Sequence, residues 1–304
     1  MRRGLVCIEL EGLGLMLSLL SGSWQPSFIH VVSCARDSLV ISSPYITEEG
    51  VNLVLSNLHP SFLEDGRLTV VTNLAPLNMI QGSTDPEAVL AFTRGLNRTK
   101  IYHLPKLHAK VYICDQREAI VTSGNLTNGG LRLNLEYGVR ISDPETVADI
   151  QTDILEYADL GAVVQPEKLL DYCQATKEAK AAFHEQQRTA AKSAQRRFAD
   201  ALETANEELI RLRLSGETTN SVFAKTIMYL LRKHGSLTTQ ELHVFIQQLH
   251  PDLCDDTVDR VINGQRYGKK WKHAVRSAQQ SLKQARGIVL DSGSWRIWSP
   301  NGSP

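Results

Sequence analysis

The chain has 304 residues, 42% of them hydrophobic and 22% charged, which is ordinary for a globular protein long enough for two domains. Its 33 basic and 33 acidic residues balance, so any contact with nucleic acid must come from local patches rather than from overall charge. Five scattered cysteines without paired spacing favour unpaired thiols in a reducing compartment over a disulfide framework.

Residues 1–23 give no clear element. Arg2 and Arg3 precede the apolar run GLGLMLSLL, but Glu9 and Glu11 lie between them and the run. The run is short and no Ala-x-Ala cleavage site follows, which argues against a secretory signal. No stretch reaches the roughly 20 apolar residues that span a bilayer. We therefore expect a soluble, cytoplasmic protein without a membrane segment, in which these residues are a lead-in.

Helical and strand-like patterns alternate over residues 24–162. They predict, in chain order, helix 24–36, strand 38–47, helix 48–59, strand 67–74, helix 85–97, strand 101–104 and helix 144–159. This alternation predicts an α/β domain with a mixed sheet flanked by helices.

The segment from His108 to Glu136 concentrates polar residues at close spacing. In HAKVYIC, strand alternation puts His108, Lys110 and Tyr112 on one face and the small and aliphatic residues at 109, 111 and 113 on the other. EAIVT predicts a neighbouring strand and SGN a sharp turn. In LRLNLEYGV the leucines alternate with Asn134 and Glu136, so these two side chains are expected to return to the same pocket.

These side chains suit attack on a phosphodiester. A neutral imidazole at His108 is a nucleophile. Lys110, Ser123 and Asn125 would stabilise charge on the non-bridging oxygens. A carboxylate such as Glu136 would fix the imidazole tautomer. The arrangement requires no metal and no other cofactor.

The spacing His-x-Lys-x4-Asp, followed by Ser-x-Asn and Asn-x-Glu, resembles the motif of the phospholipase D superfamily. Every position matches except the glycine before the serine, which is Thr122 here. The resemblance spans about residues 24–160 and implies a covalent phosphohistidine at His108 with metal-independent turnover. It adds Asp115 to the site residues, with a more structural than catalytic role in that family. It also implies that the strand end at Tyr45 lies near the site. Ordinary packing of the Tyr45 side chain is an equally open alternative.

Two other interpretations of the motif remain. A degenerate, inactive copy would keep the same residues, and a metal site at His103, His108 and Cys114 has a spacing that resembles no usual site. The chain has only one His-x-Lys, whereas the family chemistry uses two histidines. We therefore expect a homodimer with a shared active site.

Residues 163–216 change in composition towards Ala, Glu, Lys, Arg and Gln. This composition predicts a long helix or a two-helix hairpin, which would act as a linker or as a dimerising arm.

Residues 217–304 read as three helices and a terminal hairpin around Asp291-Ser292-Gly293, and resemble a winged-helix domain. Residues 261–290 hold seven Lys or Arg and no acid, so DNA binding is expected there, with protein binding as the alternative. The candidate contact residues are Lys269, Lys270, Lys272, His273 and Arg276.

Together these patterns predict a phospholipase D-like endonuclease that cuts DNA, with RNA not excluded, in restriction or phage defence. The alternatives are a phospholipid phosphodiesterase and a non-catalytic DNA-binding adaptor.

Overall fold

The computed structural model describes residues 7–9, 16–188, 192–214 and 216–299, so part of the N-terminal lead-in lies outside the described residues. The chain divides into two compact units. The first comprises residues up to 158 together with 163–213, and the second comprises 159–162 and the rest of the chain from 214. Each unit is described by itself below.

A nine-stranded mixed sheet forms the centre of the first unit, as far as the described residues show. Its strands are β1 (Cys7–Glu9), β2 (Met16–Gly22), β3 (Ser38–Ser42), β4 (Arg67–Thr72), β5 (Thr99–His103), β6 (Val111–Cys114), β7 (Glu118–Thr122), β8 (Glu136–Ile141) and β9 (Ala162–Val163). They lie in the order β1-β2-β8-β7-β6-β3-β4-β5-β9. Strands β3, β4 and β5 run parallel, whereas β2, β8, β7, β6 and β3 are antiparallel in succession. The predicted mixed-sheet α/β fold is confirmed.

Helices connect these strands and cover the sheet. They are α1 (Gln25–Cys34), α2 (Glu48–Leu55), α3 (Pro60–Asp65), α4 (Pro76–Ile80), α5 (Pro86–Gly95) and α6 (Pro144–Leu160). Helix α5 begins with a strong cap, because Asp85 accepts hydrogen bonds from the backbone N–H groups of Glu87 and Ala88. Phe28 and Val32 of α1 are fully buried in the main core, so this helix anchors the antiparallel half of the sheet.

Two segments differ from the sequence expectations. Residues 16–22 are a strand paired with β8 rather than an unstructured lead-in. Residues 129–133 form a π-helical turn, so β8 begins only at Glu136 and the expected strand alternation is wrong here. As a result Leu133 and Leu135 are 73% and 96% exposed instead of packed inside.

The segment predicted as a linker forms two helices, α7 (Pro166–Arg188) and α8 (Lys192–Arg213). They pack on each other, with the rings of Phe183 and Phe198 5.2 Å apart. Tyr172 belongs to the main core, and its hydroxyl donates to the carbonyl of Leu74. The helical pair is therefore part of the first unit rather than a solvated spacer.

The second unit holds three helices and five short strands among its described residues. These are α9 (Thr219–His234), β10 (Ser236–Thr238), α10 (Thr239–Leu249), β11 (Asp259–Ile262), β12 (Gln265–Lys269), α11 (Lys270–Gln284), β13 (Ile288–Asp291) and β14 (Ser294–Ile297). Strands β10, β14 and β13 form one antiparallel sheet, and β11 with β12 forms a separate hairpin. The core contains Phe223, Trp271 and Trp295. The terminal hairpin is found as predicted, whereas the β11–β12 hairpin was not anticipated.

In the part of the chain that is described, no helix is long and apolar enough to cross a membrane. The described cysteine side chains, at positions 34, 114, 173 and 254, form no disulfide. Burial raises the pKa of Cys114 and of Cys173 to about 12, which keeps both thiols protonated and unreactive.

Candidate functional site

The candidate site lies at one edge of the sheet of the first unit. Strands β3 and β7 end there, and β6 and β8 begin there, because β6 is antiparallel to both β3 and β7 and β7 is antiparallel to β8. His108, Ser123 and Glu136 each stand at one of these strand ends. Sequence-distant polar side chains therefore converge at a single edge.

His108 and Lys110 lie in the loop that leads into β6, not in the strand itself. The Lys110 Nζ atom lies 3.0 Å from His108 Nε2 and 2.9 Å from the His108 carbonyl oxygen. An ammonium group can only donate hydrogen bonds, so Nε2 accepts and the ring proton of a neutral imidazole is on Nδ1. His108 is exposed, and its Nε2 lone pair is already aimed at a cation.

Lys110 is only 7% exposed. Burial lowers the pKa of its ammonium group, and the nearby Glu136 carboxylate opposes that effect by raising the pKa. Glu136 stands at the start of β8, at the same edge of the sheet. The buried cation is thus balanced by one carboxylate from another strand.

The end of β3 holds the loop that carries His108 and Lys110. Ser42 Oγ donates to the carbonyl of Ala109, at 3.1 Å. The neighbouring Ser43 Oγ accepts from the N–H of Leu126, at 2.9 Å, beside the predicted turn. The two serines are fully buried and were noted in the sequence only as a strand end. They position two parts of the site from one strand.

Ser123, Asn134 and Glu136 form a hydrogen-bonded cluster. The Ser123 hydroxyl donates to Glu136 Oε2, and Asn134 Nδ2 donates to Glu136 Oε1 at 3.1 Å. The N–H of Tyr137 donates to Ser123 Oγ at 3.1 Å. Glu136 therefore orients a serine and an amide. The described contacts of Glu136 do not include a hydrogen bond from His108.

Thr122 stands where the motif has glycine, and Gly138 on β8 compensates for it. Thr122 pairs with Gly138 across the strands. A Cβ atom added to Gly138 would lie 2.7 Å from the Cβ atom of Thr122 and 2.6 Å from the carbonyl oxygen of Val121. The Thr122 hydroxyl donates to the Tyr137 carbonyl and accepts from the N–H of Gly124, each at 3.2 Å. Thr122 therefore fits at this position because the residue facing it on β8 has no side chain.

Gly124 sits under a buried tryptophan. A Cβ atom at this position would lie 2.5 Å from Trp24 Nε1, whose N–H donates to the Gly130 carbonyl at 2.7 Å. The next residue, Asn125, has its Oδ1 atom buried without a hydrogen-bond partner in the described part of the chain. A buried acceptor without a hydrogen-bond partner costs free energy.

A family model described as cardiolipin synthase, PLD-like domain, matches residues 28–157. These residues are a phospholipase D superfamily domain. Among curated proteins, no sequence matches the chain.

Several solved structures resemble the chain at low identity. NucT from Helicobacter pylori is 17% identical, with a TM-score of 0.37 over 45% of this chain and 92% of that one. The phospholipase D family member Nuc from Salmonella typhimurium is 14% identical, with a TM-score of 0.40 over 50% of this chain and 99% of that one. Phosphatidylserine synthase from Haemophilus influenzae is 16% identical, with a TM-score of 0.42 over 55% of this chain and 46% of that one. These likenesses are too distant to assign a substrate.

Asp115 does not join the site of the phospholipase D-like domain. It lies in the three-residue turn between β6 and β7, at the opposite sheet edge, with φ of 50°. Its carboxylate accepts backbone N–H hydrogen bonds from Arg36, Asp37 and Ser38 at 2.7–2.9 Å. A direct catalytic role is thus inconsistent with the geometry, and Asp115 instead fixes the entry to β3.

Tyr112 lies in the core, and its hydroxyl donates to the carbonyl of Gly124, in the turn after Ser123, at 3.0 Å. The Tyr112 ring is fully buried between Trp24 and Phe28, with centroids 5.3 and 5.0 Å away. Cys114 is at the far end of β6 from His108. Within the described residues no group of three or more His, Cys, Asp or Glu side chains is arranged to hold a metal ion.

The basic residues predicted for DNA contact lie around the start of α11. Lys270 and Arg276 are exposed, and Lys272 is half-buried with its Nζ atom 5.3 Å from the centre of the Trp271 ring. Lys269 forms an ion pair with Asp259, at 2.9 Å.

His273 differs from the expectation. One ring nitrogen, Nε2, lies 2.6 Å from the Tyr267 carbonyl, and Nδ1 lies 3.3 Å from a guanidinium nitrogen of Arg260. The carbonyl requires a donor at Nε2 and the guanidinium requires an acceptor at Nδ1, so the ring is neutral. Both ring nitrogens are hydrogen-bonded within the second unit. His273 therefore stabilises the β11–β12 hairpin instead of presenting a free nitrogen to DNA.

Proposed function

We propose that the first unit cleaves phosphodiesters with His108 as the nucleophile. The proposal is carried by the 3.0 Å contact between Lys110 Nζ and His108 Nε2, at the sheet edge where the strand of Glu136 begins. A neutral imidazole lone pair and a fixed cation are the two groups that attack on phosphorus requires. The domain family of residues 28–157 supports the same chemistry.

In the first step the Nε2 lone pair forms a bond to phosphorus, the bond from phosphorus to the leaving oxygen breaks, and that oxygen takes a proton from a general acid. Lys110 transfers its hydrogen bond from Nε2 to a non-bridging oxygen, where negative charge grows. The Ser123 hydroxyl, which donates to Glu136 in the free chain, and the side-chain N–H group of Asn125 would donate to the other oxygens. In the second step water attacks phosphorus and gives its proton to the conjugate base of the general acid, while the bond from phosphorus to Nε2 breaks and restores the imidazole.

A second copy of the chain would supply the acid. The phospholipase D-like domain has only one His-x-Lys, and the other described histidine close in sequence, His103, is fully buried with Nδ1 accepting from the N–H of Leu74. Leu133, Leu135 and Tyr137 are 73%, 96% and 59% exposed beside the site. This apolar surface supports an isologous homodimer in which each His108 faces the other.

The second unit supports DNA as the substrate. Its order of helix, strand, helix, inserted hairpin, helix and terminal hairpin, with β10 paired to β14, resembles that of a winged helix. The absence of acidic residues from 260 to 290 gives α11 and its surroundings a one-signed charge. We infer that this unit delivers DNA to the cleavage site as part of an endonuclease, with restriction or phage defence in the cytoplasm as its setting.

A phospholipid phosphodiester is the second candidate. The observation in its favour is the exposure of Leu133 and Leu135 next to the site, since acyl chains would cover the same surface. A vesicle assay with diacylglycerol phosphodiesters, run beside the DNA assay, separates the two substrates.

The direct test is incubation with supercoiled plasmid in EDTA. The wild type should nick or linearise the plasmid, and an acid-free denaturing gel should trap a protein–DNA adduct. His108→Ala should give neither product. His184→Ala, a change at an exposed histidine of α7, is the matched control and should behave as the wild type. Strict dependence on magnesium with full activity in His108→Ala would refute the proposal.

A further inference from the structure

We propose that the β11–β12 hairpin, residues 259–269, reads base edges of duplex DNA beside α11. The inference rests on the proposed DNA-directed function and names the element that would select a sequence. It concerns a hairpin inserted before α11, distinct from the terminal hairpin β13–β14.

The hairpin is held away from the core of its own unit. Every residue from 260 to 268 is exposed, and none belongs to the buried core cluster. Val261 and Tyr267 are 55% and 47% exposed, although β-branched and aromatic residues usually mark a packed strand. An exposed element with this composition is typical of a contact surface.

The shape and the side chains fit the major groove. Asn263 and Gly264, with φ of 50° and 81°, make the tight two-residue turn that closes a narrow ribbon. A two-stranded ribbon is one of the elements that the major groove admits. Asn263, Gln265 and Arg266 stand at or beside the tip, and amide and guanidinium groups are those that recognise adenine and guanine edges.

The ribbon is fixed against α11 before any ligand arrives. His273 bonds the Tyr267 carbonyl and the Arg260 guanidinium, one from each strand. Asp259 holds Lys269 at 2.9 Å across the base of the hairpin. Because these contacts already set the orientation, binding loses less conformational entropy than for a free loop.

A groove between the hairpin and α11 is placed for the DNA backbone. It has a volume of about 480 Å³, and Arg260, Lys270 and Ser277 are on its walls. Two cations and a hydroxyl are suited to a phosphate, which would set the register of the ribbon on the duplex. The single acid of the hairpin, Asp259, is already paired with Lys269 and Arg266.

The test is selection from a pool of randomised duplexes with the full chain carrying His108→Ala, so that bound DNA stays intact. The bound fraction is sequenced and compared with the input. The probe chain should enrich a motif. Adding Gln265→Ala and Arg266→Ala should lower the preference for the favoured base by about 5- to 150-fold at the positions that these residues read.

The matched control is Lys283→Ala, an exposed cation farther along α11. It should lower affinity for all duplexes alike and leave the motif unchanged. The inference is overturned if the chain with His108→Ala alone enriches no motif, or if the motif is unchanged when Gln265→Ala and Arg266→Ala are added. A hairpin that binds protein instead of DNA would leave the motif unchanged. Plasmid cleavage by chains with an intact His108 is scored separately, so a failure of base reading is distinguishable from a failure of the proposed nuclease.

Discussion

Gly138→Ala tests whether the site depends on the glycine that faces Thr122. The added Cβ atom would lie 2.6 Å from the carbonyl oxygen of Val121 and 2.8 Å from the Cα atom of Thr122, both backbone atoms. Strands β7 and β8 must therefore separate locally, and overpacking of this kind costs about 1–3 kcal/mol. For a unit the size of the first one, that corresponds to a fall in Tm of about 2–12 °C.

Calorimetry measures the Tm, and plasmid nicking measures the effect on the site. Turnover should fall by up to about 100-fold, because Ser123 pairs with the backbone of Tyr137 next to the substituted residue. Gly95→Ala is the control, since its Cβ atom would meet only the side chain of Leu55, at 3.4 Å. Thr122→Gly in the Gly138→Ala background should restore part of the Tm. Equal Tm values for the Gly138→Ala and Gly95→Ala chains would refute this reasoning.

Three further predictions follow from the charges and exposed surfaces. Lys110→Met should abolish cleavage yet raise the free energy of unfolding at pH 7, because a buried ammonium is removed. Burial lowers the Lys110 pKa, so the wild type gains stability as this group loses its proton, and urea titrations should show the stability difference between variant and wild type shrinking as pH rises towards 10.5. Leu135→Asp should give an inactive monomer in sedimentation, whereas Leu290→Asp, at an exposed leucine of the second unit, should leave dimer and activity intact. Lys270→Ala with Arg276→Ala should lower the slope of log K against log salt by about 1.8 in DNA binding, and an unchanged slope would make α11 a merely solvated face.

The sequence was sufficient for the fold class and for much of the site. Strand and helix periodicity predicted the alternation in residues 24–162, because each strand has a buried face. The motif spacing predicted that His108, Ser123 and Glu136 share a site, but it put His108 and Glu136 within strands. All three stand at strand ends instead, and antiparallel pairing brings those ends to one edge.

Other features depend on tertiary contacts that spacing does not reveal. Asp115 matches the motif, yet it serves three backbone donors at the far edge, which only the pairing of β6 with β3 determines. Leu133 and Leu135 alternate as in a strand, but the π-helical turn before Glu136 breaks the register. The Asn-Gly pair at 263–264 is a strong hairpin signal in the sequence itself, and it was missed because the flanking residues do not alternate cleanly.

The exposed apolar side chains beside the site have a consequence for gene dosage. If two chains must associate to form one site, the number of sites rises with the square of the chain concentration, as long as that concentration is well below the dissociation constant of the dimer. Halving expression would then reduce total cleavage about fourfold rather than twofold. A cell with few copies of the chain would show almost no cleavage, and a modest rise in synthesis would increase cleavage steeply.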